Sequence, residues 1–318
     1  MHGDENPNEG PFEGRTYLYI RDHPLDTGAE PLGAGLEFWV SPDITIIKPD
    51  GSRGTEAIAG QPNQVEVYVN NSGGIEAVDA FVDVFSANPS TAFTPATALA
   101  IGGGPLTIPG YTRRAITLPW TPLASESGHR CLLARVSLLI PPDTYVNGSV
   151  FDVVGDRHVS QRNLHVVSLD DADKMAFKFQ IVNPGLEVGT FLVAAAEIRE
   201  ERAFAALRGT LGCGSLRMGR TPLREVSLHT GRKRFQAPVL ENVDVRTLER
   251  GNRLTPVFAS RMRNKGLQMD LEPAAAVDAE LSIARNPETQ RGDMHAVRIT
   301  QVDADGRVVG GLTVLIQH

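Results

Sequence analysis

Gln64-Val65-Glu66-Val67-Tyr68-Val69, followed at once by Asn70-Asn71-Ser72-Gly73-Gly74, is the stretch whose reading decides the fold. Three valines fall on one face of an extended chain and polar or amphipathic residues on the other, and β-branched side chains suit a half-buried pleated surface. Asn and Gly then tolerate the positive φ that a turn requires, so the run ends where the chain must reverse. The same pattern recurs outward. From Val78 to Phe85, Val78, Ala80, Val82 and Val84 alternate with Asp79, Phe81, Asp83 and Phe85, and the aromatic pair on the polar face is expected to pack under a loop. Further strands are expected at Pro42 to Ile47, Arg113 to Trp120, Gly128 to Leu139 and Arg157 to Leu169, joined by turns such as Ile101-Gly102-Gly103-Gly104-Pro105 and Ile140-Pro141-Pro142. No convincing amphipathic helix separates them, which excludes a parallel α/β sheet and leaves an antiparallel Greek-key sandwich.

The second half continues in strands. Ala176 to Val182 alternates and is stopped by Asn183-Pro184-Gly185, and the chain closes on a hairpin, His295 to Val302 and Arg307 to Ile316, around Asp303-Ala304-Asp305-Gly306. Between these ends, Phe191 to Leu207 is rich in Ala and Glu and reads either as a strand followed by a short helix or as one longer helix. A second β-sandwich with a helical insertion is the expected solution.

Length and composition agree. The 318 residues suffice for two domains, and 41 % apolar with 22 % charged residues is a globular balance. No stretch approaches the roughly 20 apolar residues that span a bilayer. The start, MHGDENPNEGPFEG, is acidic and polar, so no export leader is expected. Two cysteines, Cys131 and Cys213, cannot form a disulfide framework and are too few for a Cys-based zinc site, so both are read as free thiols.

The net charge of −7 is unevenly spread: residues 1–168 carry a net of −9, whereas the stretch 199–265 carries 15 Lys/Arg against 6 Asp/Glu. Such a run is most often a solvated face; the alternative is a docking surface for an anionic polymer or an acidic neighbouring domain. Arg217, Arg220, Arg224, Arg232, Lys233 and Arg234 are the candidate anion- or partner-binding residues.

Chemistry is sought and mostly not found. There is no His-Glu-x-x-His, no Gly-x-Ser-x-Gly elbow, no phosphate-binding Gly-x4-Gly-Lys-Ser/Thr and no dinucleotide fingerprint, so no catalytic residue, cofactor or metal is assigned. His129 and Cys131 share a face of one strand, yet two ligands do not make a zinc site, and a buried core cysteine is the expectation. His158 and His165 bracket Gln161 and Asn163, where a polar edge or interface is expected. Asp303-Ala304-Asp305-Gly306 lacks the further ligands of a calcium loop and reads as a hairpin turn. Asp170, Asp171 and Asp173 could hold calcium between domains, with a solvated linker as the ordinary alternative, and Arg291-Gly292-Asp293 is read as a chance tripeptide.

Tyr19-Ile20-Arg21-Asp22, Phe38-Trp39-Val40-Ser41-Pro42-Asp43-Ile44, Gly60-Gln61-Pro62-Asn63, Pro119-Trp120-Thr121-Pro122, Gly128 to Val136 and Asp156 to Leu164 resemble, in consistent order, a bacterial immunoglobulin-like module of the cell-adhesion-related (CARDB) type. Val308 to Val314 is similar to the last strand of the companion modules that follow such domains. The resemblance implies an all-β chain of two tandem immunoglobulin-like antiparallel β-sandwiches: a polar tail at 1–15, a CARDB-like sandwich at 16–168 and a second at 169–318. It further implies a non-catalytic accessory or display role at a cell or particle surface. The absence of an expected leader and the two unpaired cysteines point instead to the cytoplasm, or to export by a route without a cleaved leader. Protein partners or self-association are expected, with an anionic glycan as the alternative through 199–265. Neither membrane insertion nor nucleic-acid binding is expected. If the acidic first half of one copy meets the basic stretch of the next, the contact is head-to-tail.

Overall fold

Alternation, turn chemistry and two adjacent glycines account for most of the architecture. The computed structural model describes residues 12–33, 36–124, 129–169, 173–211, 217–231, 233–235, 248–249, 253–254 and 266–318. The first ten strands are β1 (Leu18–Tyr19), β2 (Ile44–Ile47), β3 (Arg53–Gly54), β4 (Asn63–Asn71), β5 (Ala77–Ala87), β6 (Leu99–Ile108), β7 (Thr112–Trp120), β8 (Cys131–Leu138), β9 (Asp143–Thr144) and β10 (Val159–Arg162). They form two antiparallel sheets. One runs β1-β4-β2-β3 with β7 on the other side of β4, and the second runs β10-β8-β5-β6 with β9 beside β8. Val65, Val67 and Val69 point into the space between the sheets, against Val82, Val84, Leu132 and Val136.

The alternation of β5 fails at its start. Val78 is exposed while Ala77, Ala80, Val82 and Val84 are buried. The cause is a bulge: pairing with β6 jumps between Ala77 and Ala80, and Asp79 sits at φ 58°, so one extra residue displaces Val78 from the inner face. Phe85 does pack under a loop, 5.3 Å from the Phe151 ring, but Phe81 lies open to solvent.

The second sandwich contains β11 (Leu164–Ser168), β12 (Lys174–Val182), β13 (Gly189–Glu197), α1 (Glu201–Leu211), β14 (Arg217–Met218), β15 (Glu225–Thr230), β16 (Lys233–Phe235), the short pair β17 (Leu248–Glu249) and β18 (Arg253–Leu254), then β19 (Leu267–Leu271), β20 (Ala276–Ala284), β21 (Asp293–Val302) and β22 (Val308–Gln317). One sheet runs β11-β22-β21-β13-β19 with β14 on β21, and the other β12-β20-β15-β16. Of the two readings of Phe191 to Leu207, strand then helix is correct. Glu201 in the first turn and Arg208 in the last suit the helix dipole, and Ala203, Phe204 and Leu207 form one buried stripe. The closing turn is as expected, with the Asp303 carboxylate accepting from the backbone N–H groups of Asp305 and Arg307.

Leu164 to Ser168, read as the end of the first sandwich, belongs to the second. It pairs in parallel with Thr313 to Gln317 of β22. The chain therefore crosses between sheets at Asn163 alone, with no linker, and that residue is held from both sides. Its N–H donates to the Trp39 carbonyl, its own carbonyl accepts from Thr313, and its carboxamide donates to the carbonyls of Ser90 (2.5 Å) and Gly311 (2.7 Å).

Around Asn163 lies a third hydrophobic core that neither sandwich owns. It joins Phe38, Trp39, Phe93, Cys131 and Leu133 from one side to Ala196, Phe204, Leu207, Met294 and Leu315 from the other. Trp39 anchors it, with its indole N–H 3.0 Å from Thr313 Oγ1. Gly310 and Gly311 make the approach possible. A Cβ at Gly311 would fall 2.6 Å from the Trp39 ring, and one at Gly310 would fall 2.2 Å from the Thr91 carbonyl oxygen. Burial of a large side chain stabilises by about 1.5–3 kcal/mol, so separating the sandwiches would expose several such contributions at once.

Candidate functional site

Among the described residues, the basic positions singled out in the sequence lie on separate elements. Arg217 lies in β14 and pairs with Asp293 at 2.9 Å. Arg220 is exposed, and its carbonyl accepts from Arg199 Nη2. Arg224 is exposed at the start of β15, its backbone N–H bonded to Ala284. Lys233 and Arg234 sit in the edge strand β16, opposite Thr230 and His229. Thr230 is at the far end of β15, so Arg224 stands about 20 Å along the strand from Lys233 at roughly 3.3 Å per residue. Arg232 lies outside the described residues, as do Asp170, Asp171 and Cys213.

Beside β16 a groove of about 620 Å³ opens between the outer face of β12-β20-β15 and the Asn88-Pro89 loop of the first sandwich. Lys178, His229, Asp278 and Glu280, from neighbouring strands of that sheet, all line it. Among the described residues, then, the groove carries both signs of charge and is no dedicated polyanion cradle.

Asp293, the acid of Arg291-Gly292-Asp293, is buried. It bonds the Gln290 N–H and pairs with Arg217, so the tripeptide is not a displayed loop. Asp173 is exposed and pairs with Arg285.

The nearest approach to catalytic chemistry is at Cys131, whose Sγ lies 2.7 Å from Asn163 Oδ1 and 3.6 Å from His165 Nε2, with His165 Nε2 2.8 Å from the same Asn oxygen. A Cys, a His and an Asn thus converge. All three are buried, and burial pushes the thiol far up and, with the nearby His129, the imidazole well down. A nucleophilic cysteine needs the opposite shifts and access for a substrate. The trio is a polar plug in the junction core. His129 stands against Glu56, stacks edge-on to His165 and contacts Phe177.

Glu30, Asp156 and His158 also converge as possible metal ligands. His158 offers no free lone pair, because Nδ1 meets Asp156 at 2.7 Å and Nε2 meets Asp143 at 2.8 Å. Burial alone would lower its pKa, but the bonds to Asp143 and Asp156 outweigh that and raise it, so the imidazolium is held between two carboxylates. Burial likewise acts to raise the two carboxyls, and their bonds to His158, with backbone N–H groups of Leu18 and Val146, win and lower both. Arg157 completes the network, bound to Asp143 at 2.6 Å and Glu30 at 2.7 Å. This is an ion-pair lattice within the first sandwich.

Across the junction a further buried pair, Arg298 and Glu37, joins β21 to the segment before Trp39. Beside it His23 is pushed down to about 4 by burial and by the Arg298 charge. Sequence reading missed both this pair and the junction core. The Gly-Gly inside the last strand was the available signal, since glycine in a strand interior marks close approach of another group.

No protein-family model and no curated protein matches the sequence. Among solved structures, the CARDB domain of a Pyrococcus furiosus protein, solved in complex with di-metal ions, is 14 % identical and is matched over 50 % of this chain and 96 % of its own, at a TM-score of 0.28. A tip adhesin from Pseudomonas aeruginosa is 10 % identical over 83 % and 93 % of the two chains (TM-score 0.24), and red sea bream transglutaminase is 12 % identical over 82 % and 30 % (TM-score 0.19). Likenesses at this level carry no inference of shared activity. The all-β architecture stands on the strands described above, and among the described residues no helix is long and apolar enough to cross a membrane.

Proposed function

We propose that the chain is a non-catalytic binding and display protein, in which two immunoglobulin-like sandwiches, the first CARDB-like, act as one rigid body and offer loops and edges to protein partners or to further copies. The observation that carries this reading is the linkerless crossing at Asn163, with hydrogen bonds from that one residue into both sandwiches. A rigid tandem holds its outlying surfaces at a fixed spacing, which suits assembly at a cell or particle surface and serves catalysis no better than a single domain would. The buried Cys131, His165 and Asn163 trio offers no nucleophile, since burial pushes the thiol up and the imidazole down.

Light scattering at about 50 and about 500 mM salt tests the assembly arm, because surface charge contacts weaken as the screening length shortens. A species larger than 34.3 kDa at low salt that dissociates at high salt is the expected result. A monomer at both removes self-association and leaves a heterologous protein partner. NMR relaxation tests the rigid body: one tumbling time for both sandwiches is expected, and two independent ones would overturn it. Lys233 and Arg234, on the edge strand beside the polar groove, favour the second reading, an anionic glycan bound at β16. Heparin retention lost in Lys233→Glu/Arg234→Glu is its test.

A further inference from the structure

At the junction a second cleft, of about 550 Å³, opens between the Val150 to Gly155 segment of the first sandwich and the Asp303 to Val309 hairpin of the second. Its volume lies within the range of small-ligand pockets, which favour domain interfaces. Phe38, Phe93, Phe151 and Val308 supply apolar walls. Gln161 is set among them, 3 % exposed, and its Nε2 has no hydrogen-bond partner. Its backbone is fully used, with the carbonyl accepting from Ser41 and the strand paired to β8, so the carboxamide is fixed in place without being engaged.

A buried amide N–H with no partner has given up its hydrogen bonds to water without replacing them, so an occupant that accepts from Gln161 Nε2 gains affinity. That Nε2–H is an unused donor, the complement of the carbonyl oxygen of another amide. The charges lining the cleft are few. Asp152 and Asp303 are each tied to backbone N–H groups of their own turns, and Arg307 is exposed. Two carboxylates against one guanidinium disfavour an anionic occupant.

We propose that the junction cleft is a binding site for an uncharged, apolar amide of about dipeptide size, with its aromatic or branched aliphatic group among Phe38, Phe93, Phe151 and Val308 and its amide paired with Gln161. The site is distinct from the basic segment.

The full-length, 15N-labelled chain would be titrated with N-acetyl-L-phenylalaninamide. Saturable shifts at the Gln161 side-chain NH2 and at the Phe151 and Val308 amides are expected, with N-acetyl-L-phenylalanine, the carboxylate analogue, binding more weakly. Gln161→Met should weaken the probe about fivefold to tenfold, the worth of one hydrogen bond, while leaving the melting temperature unchanged or higher. A structural Gln161 would instead lower it. No saturable shift up to the probe's solubility, tighter binding of the carboxylate, or a Gln161→Met protein that melts lower and binds unchanged would each overturn the assignment.

Discussion

The core of the first sandwich and the core at the junction are both built of buried apolar side chains, but they are specified by different means. In the first, valines two residues apart within β4 and β5 meet one another across two sheets, so the pattern is local and repeats. In the junction, Trp39, Phe93, Phe204 and Leu315 come from four distant places and meet only because Gly310 and Gly311 lack side chains. A periodic core tolerates small losses, because its neighbours share the load. A junction centred on one indole should not.

Trp39→Ala tests that contrast with the largest expected effect. Loss of a buried Trp costs about 3–5 kcal/mol, and here the loss falls on the coupling between sandwiches as well as on their stability. Calorimetry is expected to show the wild-type chain melting in one transition and Trp39→Ala in two. Ile46→Val, in the first core, should lower a single transition by about 0.5–1.5 kcal/mol. Two transitions in both variants, or one in both, would erase the distinction.

The buried histidines sharpen the same comparison through pH. His158, in the first sandwich, has its pKa raised above the ordinary 6.5 by its carboxylate partners, so its contribution is full below 6.5 and is lost as pH rises through the folded value. His165, in the junction, has its pKa lowered by burial and by His129, so its contribution is present above 6.5 and is lost as pH falls towards the folded value. The two slopes oppose. Urea unfolding across pH 5 to 9 is expected to show His158→Gln losing the decline above pH 6.5 and standing about 1.5–3 kcal/mol below wild type at pH 6, the worth of a hydrogen bond to a charged group. His165→Gln should make the decline below 6.5 shallower, leaving the part that His23 supplies. A variant that leaves its own limb of the profile intact would show that its histidine is not the titrating group.

How far sequence alone reaches follows from these residues. Val65, Val67 and Val69, the Asn183-Pro184-Gly185 stop and the Asp303 to Gly306 turn were legible because each is set by neighbours within a few positions. The bulge at Asp79 was not, because Val78 still alternates on paper and only the pairing with β6 shows the extra residue. The crossing at Asn163 was hidden inside the single strand read from Arg157 to Leu169, because nothing in its residues marks a break, yet its first part hydrogen-bonds to β8 and its second part to β22. At the candidate sites, charge counting found the basic stretch but not that Arg217 is paired with an aspartate distant in sequence. Gln161 stood out only as a polar residue between two histidines. That it lines a cleft depends on the hairpin at the other end of the chain.

The smallest expected effect separates the two ends of β15. Arg224 is exposed at one end, and Lys233 and Arg234 lie in the neighbouring strand at the other. Exposed substitutions away from buried networks change stability by no more than about 0.5 kcal/mol, so Arg224→Glu should not shift the melting curve appreciably, and Lys233→Glu/Arg234→Glu is the variant to compare it with. They should differ in assembly. If acidic surfaces of one copy meet the β16 edge of the next, reversal at Lys233 and Arg234 abolishes the low-salt species while reversal at Arg224 leaves it, because a site about 20 Å away lies beyond the roughly 8–10 Å screening length at 0.1–0.15 M salt. Equal loss in both variants would mean that net charge, and not a located contact, drives association.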